Sequence, residues 1–245
     1  MSMNTIGVLI LAGGMGTRLK PVMSGRPKAL APVAGRPFLS ILLDQISRAG
    51  FSRVILCTGY MADQVEAEFG TKYKSLSLIY SREVTPLGTG GALRHALPLI
   101  SSESIMVMNG DSFVDADLNA FLDWFVGKGC NAALLLTKMN DATRYGLVHV
   151  DPNGLITRFH EKGSECGPGW INAGIYLFKR SVVETIPQGR PFSLEREFFP
   201  SLAGRELYGY CSEGKFIDIG IPETYAESEE FFSNYMKYSN EDHCP

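Results

Sequence analysis

Two rhythms of apolar and polar positions alternate along the first half of the chain. Ile6 to Leu11 is an almost unbroken apolar run, the pattern of a strand buried on both faces. Phe38 to Ala49 has apolar residues at 38, 39, 41, 42, 43, 46 and 49, which is helical spacing, and Gly50 supplies a stop. Arg53 to Cys57 reads as a strand, and Met61 to Phe69 as a helix ended by Gly70. Leu76 to Tyr80, Ile105 to Met108 and Ala132 to Thr137 are further strands. Thr89 to Leu97 and Leu118 to Val126 are further helices. Strand and helix in turn, with short links, predict an α/β fold: a Rossmann-like, mostly parallel twisted sheet flanked by helices.

The second half changes style. Gly146 to Val150 and Leu155 to His160 are short strands around Asp151-Pro152-Asn153-Gly154, a turn-forming run, so a hairpin is predicted. Trp170 to Phe178, Leu207 to Cys211 and Phe216 to Ile219 are strands. Ser193 to Leu202 is a helix with Ser193 as N-cap and Glu195, Arg196 and Glu197 in its first turns. Pro222 opens a last helix running to about Tyr238, before a polar, frayed tail. No linker or repeat interrupts the chain. Residues 1–245 are expected to form one domain, with a parallel half over 1–140 and an antiparallel part in 141–245.

Composition narrows the chemistry. With a net charge of −3 and a pI near 5.8, a general nucleic-acid binder is disfavoured, so any phosphate ligand needs a local positive site. The early apolar run is far too short to span a bilayer, and a signal-peptide pattern is lacking. The cysteines Cys57, Cys130, Cys166, Cys211 and Cys244 are scattered, which suits free thiols in a cytoplasmic setting, with Cys57 and Cys130 in the core.

The candidate chemistry begins where the first strand ends, at Gly13-Gly14-Met15-Gly16-Thr17-Arg18, with Pro27-Lys28 further on. Backbone N–H groups of such a loop can face phosphate oxygens, and Arg18 and Lys28 add full charges. A glycine-rich turn alone is weak evidence of a ligand. Arg18 replaces the last glycine of a dinucleotide fingerprint, and no G-K-[S/T] closes a Walker A loop. In parallel sheets, ligands bind beyond the carboxyl ends of the strands. The 13–18 loop, the 85–91 loop and Asp111 each follow a strand and belong on that edge. Taken singly, Asp111 reads as a turn or capping residue, and an isolated lysine as a solvated charge.

The run L-A-G-G-M-G-T-R-L-K-P…P-K-A-L-A-P-V-A-G-R-P resembles the signature of the sugar-1-phosphate nucleotidyltransferases. Later stretches fit the same family in order: Pro86 to Ala92, Asn109-Gly110-Asp111, Glu161-Lys162, Asn172 to Tyr176, and Phe216 to Gly220. The resemblance implies that a sugar 1-phosphate attacks the α-phosphorus of a nucleoside triphosphate and pyrophosphate leaves. It implies nucleotide contacts from Leu11, Ala12, Gly13, Gly14, Gly16, Thr17, Arg18 and Lys28, and from Glu83, Pro86, Gly88 and Thr89. Arg18, Lys28 and Asp111 become the catalytic set, and Asp111 and Asp218 the ligands of Mg²⁺. Tyr145, Gly146, Glu161, Lys162 and Asn172 become the sugar-phosphate contacts.

The loop P-L-G-T-G-G-A-L resembles that of guanylyl-transferring members, so GTP is the favoured nucleotide. Among short members, without a left-handed β-helix domain, the D-glycero-α-D-manno-heptose 1-phosphate guanylyltransferases are most similar. Mannose 1-phosphate with GTP, glucose 1-phosphate with dTTP or UTP, and an amino-sugar phosphate with UTP are the alternatives. A silent nucleotide-sugar-binding domain is disfavoured, because the loop arginine, its lysine and the metal carboxylate are all present. A homodimer is an allowed assembly.

Overall fold

The computed structural model describes residues 6–19, 23, 25–159 and 167–241, with only the backbone described over 236–241. Its strands are β1 (Ile6–Leu11), β2 (Pro32–Val33), β3 (Arg36–Pro37), β4 (Arg53–Thr58), β5 (Lys72–Tyr73), β6 (Leu76–Arg82) and β7 (Ser104–Asn109). Then follow β8 (Ser112–Val114), β9 (Ala132–Met139), β10 (Val148–Val150), β11 (Ile156–Phe159), β12 (Gly169–Lys179), β13 (Leu207–Ser212) and β14 (Phe216–Asp218). The helices are α1 (Phe38–Arg48), α2 (Ala62–Phe69), α3 (Gly88–Ala96), α4 (Leu118–Lys128), α5 (Arg180–Val183), α6 (Phe199–Leu202) and α7 (Pro222–Glu241).

An eight-stranded sheet runs in the order β13-β9-β12-β7-β1-β4-β6-β5. The pairs β7–β1, β1–β4 and β4–β6 are parallel, as the alternation of strands and helices predicts, and β13 also pairs parallel with β9 although the 141–245 part is expected to be antiparallel. β12 is inserted antiparallel between β7 and β9, and β5 closes the far edge antiparallel. β1, β4, β6 and β7 therefore all end on one edge, while β12 begins there. Alternate residues of β1 feed two cores. Val8 and Ile10 pack with α1, α4 and Phe232 of α7, and Leu9 packs with α3, α5 and α6. Burial on both faces is why the strands read as continuous apolar runs.

The predicted hairpin forms as antiparallel β10 and β11. Asp117 caps α4 by accepting from the Asn119 and Ala120 N–H groups. The helix expected over 193–202 is divided. Ser193 caps it as predicted, but Leu194–Phe198 is a π turn and only Phe199–Leu202 is α. Pro200 has no N–H to give the Arg196 carbonyl, and the chain widens before it, so that the Glu197 and Phe198 N–H groups both reach the Ser193 carbonyl at 3.2 Å. α7 runs past Tyr238 to Glu241.

Candidate active site

The glycine loop leaves β1 at the ligand-binding edge of the sheet. The Ala12 N–H donates to the Cys57 carbonyl at 2.8 Å, which carries the chain just past the end of β4. Next to it β7 ends at Asn109, and the Gly110 N–H donates to the Leu11 carbonyl at 2.9 Å. A Cβ on Gly110 would stand 2.6 Å from that carbonyl oxygen, so only glycine lets the two strand ends lie this close.

Lys28 begins a short 3₁₀ turn, Lys28–Leu30, behind the loop. Its Nζ donates to Asp111 Oδ2 at 2.7 Å. Asp218, 107 positions after Asp111, reaches the same place through β14, which pairs antiparallel with β8 and sets Asp218 opposite Ser112. The Ile219 N–H donates to the Asp111 carbonyl at 2.9 Å and locks the two aspartate backbones together. Asp218 Oδ1 accepts from the Gly220 N–H at 2.7 Å, and its other oxygen is 4.0 Å from Arg144. Phe113 in β8 packs against Phe231, Phe232 and Tyr235 of α7, so the C-terminal helix braces the ribbon that carries both carboxylates.

The turn after β6 is organised by Glu83. Its carboxylate accepts from the Leu87 N–H at 2.8 Å, and burial raises its pKa above the ordinary glutamate range. The Gly90 and Gly91 N–H groups are not free for a ligand, because both donate to the Phe192 carbonyl. Thr89 Oγ1 accepts from the Leu194 N–H at 2.9 Å and donates to Glu195 at 2.7 Å. The π turn is thereby tied to the start of α3.

On the sugar side, the Asn109 and Asn172 amides both point at the hydroxyl of the fully buried Tyr176, at 3.1 and 3.0 Å. Gly174, with φ +80°, turns its N–H onto Asn172 Oδ1 at 2.9 Å and fixes that amide. Burial, and then a hydrogen bond to Asp218, raise the pKa of Tyr145.

These groups surround a cavity of about 780 Å³, room for a nucleotide and a sugar phosphate. Leu11, Ala12, Gly13, Gly14, Arg18 and Lys28 line one side, and Glu83, Pro86, Gly88 and Thr89 another. Asp111, Asp218, Tyr145, Gly146 and Asn172 complete the predicted part of the wall. Gly16 borders a smaller neighbouring cavity instead, and Thr17 borders neither. Glu161, Lys162 and His160 lie outside the described residues. The sequence reading did not assign Asn109, Ser112, Phe159, Ser193, Glu195, Arg196 or Phe216 to the site, yet they line it. Glu195 and Arg196 read only as helix-start charges, and the contact of Glu195 with Thr89 joins residues 106 positions apart.

Among the described residues no cluster of three or more metal-ligating side chains occurs. A pair of carboxylates is nevertheless a chemically suitable set for Mg²⁺, which takes most of its octahedral shell from phosphate oxygens and water.

The nucleotidyl transferase family profile matches residues 7–234. The chain belongs to that family. Similar family members include a D-glycero-α-D-manno-heptose 1-phosphate guanylyltransferase from Aneurinibacillus thermoaerophilus, 34% identical over 93% of this chain and 99% of the relative. A mannose-1-phosphate guanylyltransferase of Mycobacterium tuberculosis is 38% identical over 92% of this chain, which spans 64% of that relative. Among solved structures, HddC from Yersinia pseudotuberculosis superposes with a TM-score of 0.83, at 33% identity over 92% of this chain and 99% of its own. HddC is also solved in complex with GMP-PN. The nucleotidyltransferase resemblance and the mostly parallel α/β fold expected from the sequence are borne out.

Proposed function

We propose that the protein is a Mg²⁺-dependent guanylyltransferase joining GTP and D-glycero-α-D-manno-heptose 1-phosphate to give GDP-heptose and pyrophosphate. The observation that carries the reading is the meeting of Lys28, Asp111 and Asp218 beside the glycine loop, in a cavity large enough for both substrates. A phosphate oxygen of the sugar 1-phosphate attacks the α-phosphorus of GTP. The bond from that phosphorus to the bridging oxygen breaks, and pyrophosphate leaves with the electron pair. Such transfer needs mainly positioning and charge neutralisation.

Arg18, exposed on the loop, faces the leaving pyrophosphate, where its planar fork suits two phosphate oxygens. Lys28 serves the phosphate under attack. Asp111 and Asp218 would hold Mg²⁺, which neutralises phosphate charge when bound. Leu11 to Gly14, Glu83 and the 86–89 turn hold the base and ribose. The Glu83 carboxylate is suited to the N–H donors of guanine. Tyr145, Gly146 and Asn172 meet the sugar, with Glu161 and Lys162 completing that side. Residues 1–140 thus serve the nucleotide and 141–245 chiefly the sugar, within one nucleotidyltransferase domain. The guanylyltransferase names of the relatives and the GMP-PN complex of HddC support a guanine nucleotide.

The test is pyrophosphate release with each common nucleoside triphosphate against a panel of sugar 1-phosphates and Mg²⁺. GTP with the heptose phosphate should give the highest kcat/KM, and no turnover with any pair would sink the reading. Mannose 1-phosphate with GTP is the second reading, favoured by the 38% identity to the mycobacterial enzyme.

A further inference from the structure

The arm that carries Lys28 is held by helices on both sides. Lys28 opens a 3₁₀ turn that leads through Ala31 into the β2–β3 hairpin. Arg36 of that hairpin donates to Ser40 and Asp44 of α1. The other hold comes from α7. Its Tyr225 hydroxyl donates to the Pro32 carbonyl at 2.7 Å, and its Glu229 carboxylate accepts from the Ala34 N–H at 3.1 Å. Ala34 has φ +49°, an uncommon conformation for a residue with a side chain, and such a conformation persists where surrounding contacts fix it. The lead-in to α7 also reaches the head of the lysine. A Cβ on Gly220 would stand 3.6 Å from Lys28 Nζ and 2.7 Å from Asp218 Oδ1. Thr224, the residue before Tyr225, donates to Asp218 Oδ1 at 3.4 Å. Neighbouring residues at the start of α7 therefore hold the lysine arm and the second carboxylate.

We propose that Tyr225 is a positioning residue for nucleotidyl transfer, and that with Glu229 it sets the place of Lys28 relative to Asp218. The inference rests on the nucleotidyl-transfer reading, in which Lys28 serves the phosphate under attack. Lysine is a point charge on a flexible four-carbon stem, so its backbone and its partners decide where the ammonium goes. Asp111 fixes the ammonium at 2.7 Å. Once a substrate phosphate takes Lys28 from Asp111, the backbone of the arm keeps the charge in register with the reacting phosphorus. A misplacement of about 1 Å that arises far from the chemistry can cost about a hundredfold in rate. Neither Tyr225 nor Glu229 lines the main cavity, so both act through the arm and not on a substrate.

The experiment compares wild type with Tyr225→Phe, Glu229→Ala and the double variant, and with Tyr80→Phe as a control. Tyr80 likewise donates an exposed hydroxyl to a backbone carbonyl, that of Gly70 at 2.5 Å, but outside the Lys28 arm. Loss of one such bond predicts about a three- to tenfold fall in kcat in Tyr225→Phe, with the KM of each substrate within about twofold. The double variant falls further, and Tyr80→Phe keeps the wild-type kcat. The deciding comparison repeats Tyr225→Phe in a Lys28→Met background, under single-turnover conditions that read slow rates. If Tyr225 acts through Lys28, the second change lowers the rate no further, whereas general loosening of the fold lowers it equally in both backgrounds. An equal fall in both, or a wild-type kcat in the double variant, overturns the proposal. Amide exchange over 28–37 reads the hold without turnover and should quicken in the Tyr225 and Glu229 variants. Absence of turnover in wild type would instead defeat the transferase reading, and unchanged exchange would then overturn the hold itself.

Discussion

Lys28 Nζ donates to Asp111 Oδ2 at 2.7 Å, and the lysine is the more enclosed partner, its side chain 12% exposed against 44% for the aspartate. The pair neutralises itself until phosphates arrive, and then each partner has an alternative ligand of higher charge. Asp111→Asn still offers an oxygen to Lys28 but removes one of the two carboxylates proposed for Mg²⁺. Its turnover is expected to fall by at least about a hundredfold, as when a principal stabiliser of a charged transition state is removed. The unfolding midpoint should hardly move, because a half-exposed ion pair contributes little to stability. Steady-state rates across a Mg²⁺ titration, paired with a denaturation curve, separate the two effects.

Arg18 stands on the exposed loop and lines the main cavity without an acidic partner among the described residues. Arg18→Ala should cut kcat by about a hundredfold and leave the sugar 1-phosphate KM within about twofold, since its proposed work is on the leaving group. A sugar-phosphate KM that rises as much as kcat falls would move Arg18 to the other substrate.

Thr89 joins α3 to the π turn by accepting from Leu194 and donating to Glu195. Thr89→Val keeps the shape but leaves a backbone N–H and a carboxylate each short of a partner. A loss of about 1–3 kcal/mol is expected, read as a lower denaturant midpoint at unchanged m. A wild-type midpoint would mean that these groups find other partners.

Glu83 is held above the ordinary glutamate range by burial, and the Leu87 N–H only partly offsets this. The fold therefore prefers its protonated form. The stability that this preference contributes is complete below the ordinary glutamate pKa and is lost as pH rises through the elevated value. Glu83→Gln can still accept from Leu87, so the variant should gain stability relative to wild type as pH increases from 4 towards 7, an interval of roughly the ordinary glutamate pKa and above. It should also weaken the preference for GTP over ATP if the carboxylate reads guanine. Melting curves over pH and a comparison of the two triphosphates check both parts.

Much of the framework was legible because burial on two faces leaves a plain signature. β1, α1, α4 and the β10–β11 hairpin sit where apolar rhythm and turn residues put them. Strand direction has no such signature. The reversal of β12 between β7 and β9 depends on which edges meet, and the apolar run from Trp170 to Phe178 would look the same in either sense. The loop residues and Asp111 could be placed because they follow strands that end on one edge. Glu195 and Arg196 could not, since their place depends on Pro200 widening the turn and on a threonine 106 positions away. The trio Asn109, Asn172 and Tyr176 is another case: two amides converging on one hydroxyl is a tertiary arrangement that no local spacing reports.

The pairing of β14 with β8 sets the order in which the molecule becomes competent. β1, β4, β6 and β7, and the glycine loop, all lie within the first 109 residues. Asp218 can join Asp111 only after a closure across 107 positions, and the brace from α7 comes later still along the chain. Closing so long a loop has an entropic cost that only the completed ribbon offsets. A chain emerging from the ribosome would thus carry the strands of the sheet and the glycine loop before it carried the second carboxylate. Activity is in this sense the last property the chain acquires, and a refolding protein should recover its sheet signal before its turnover.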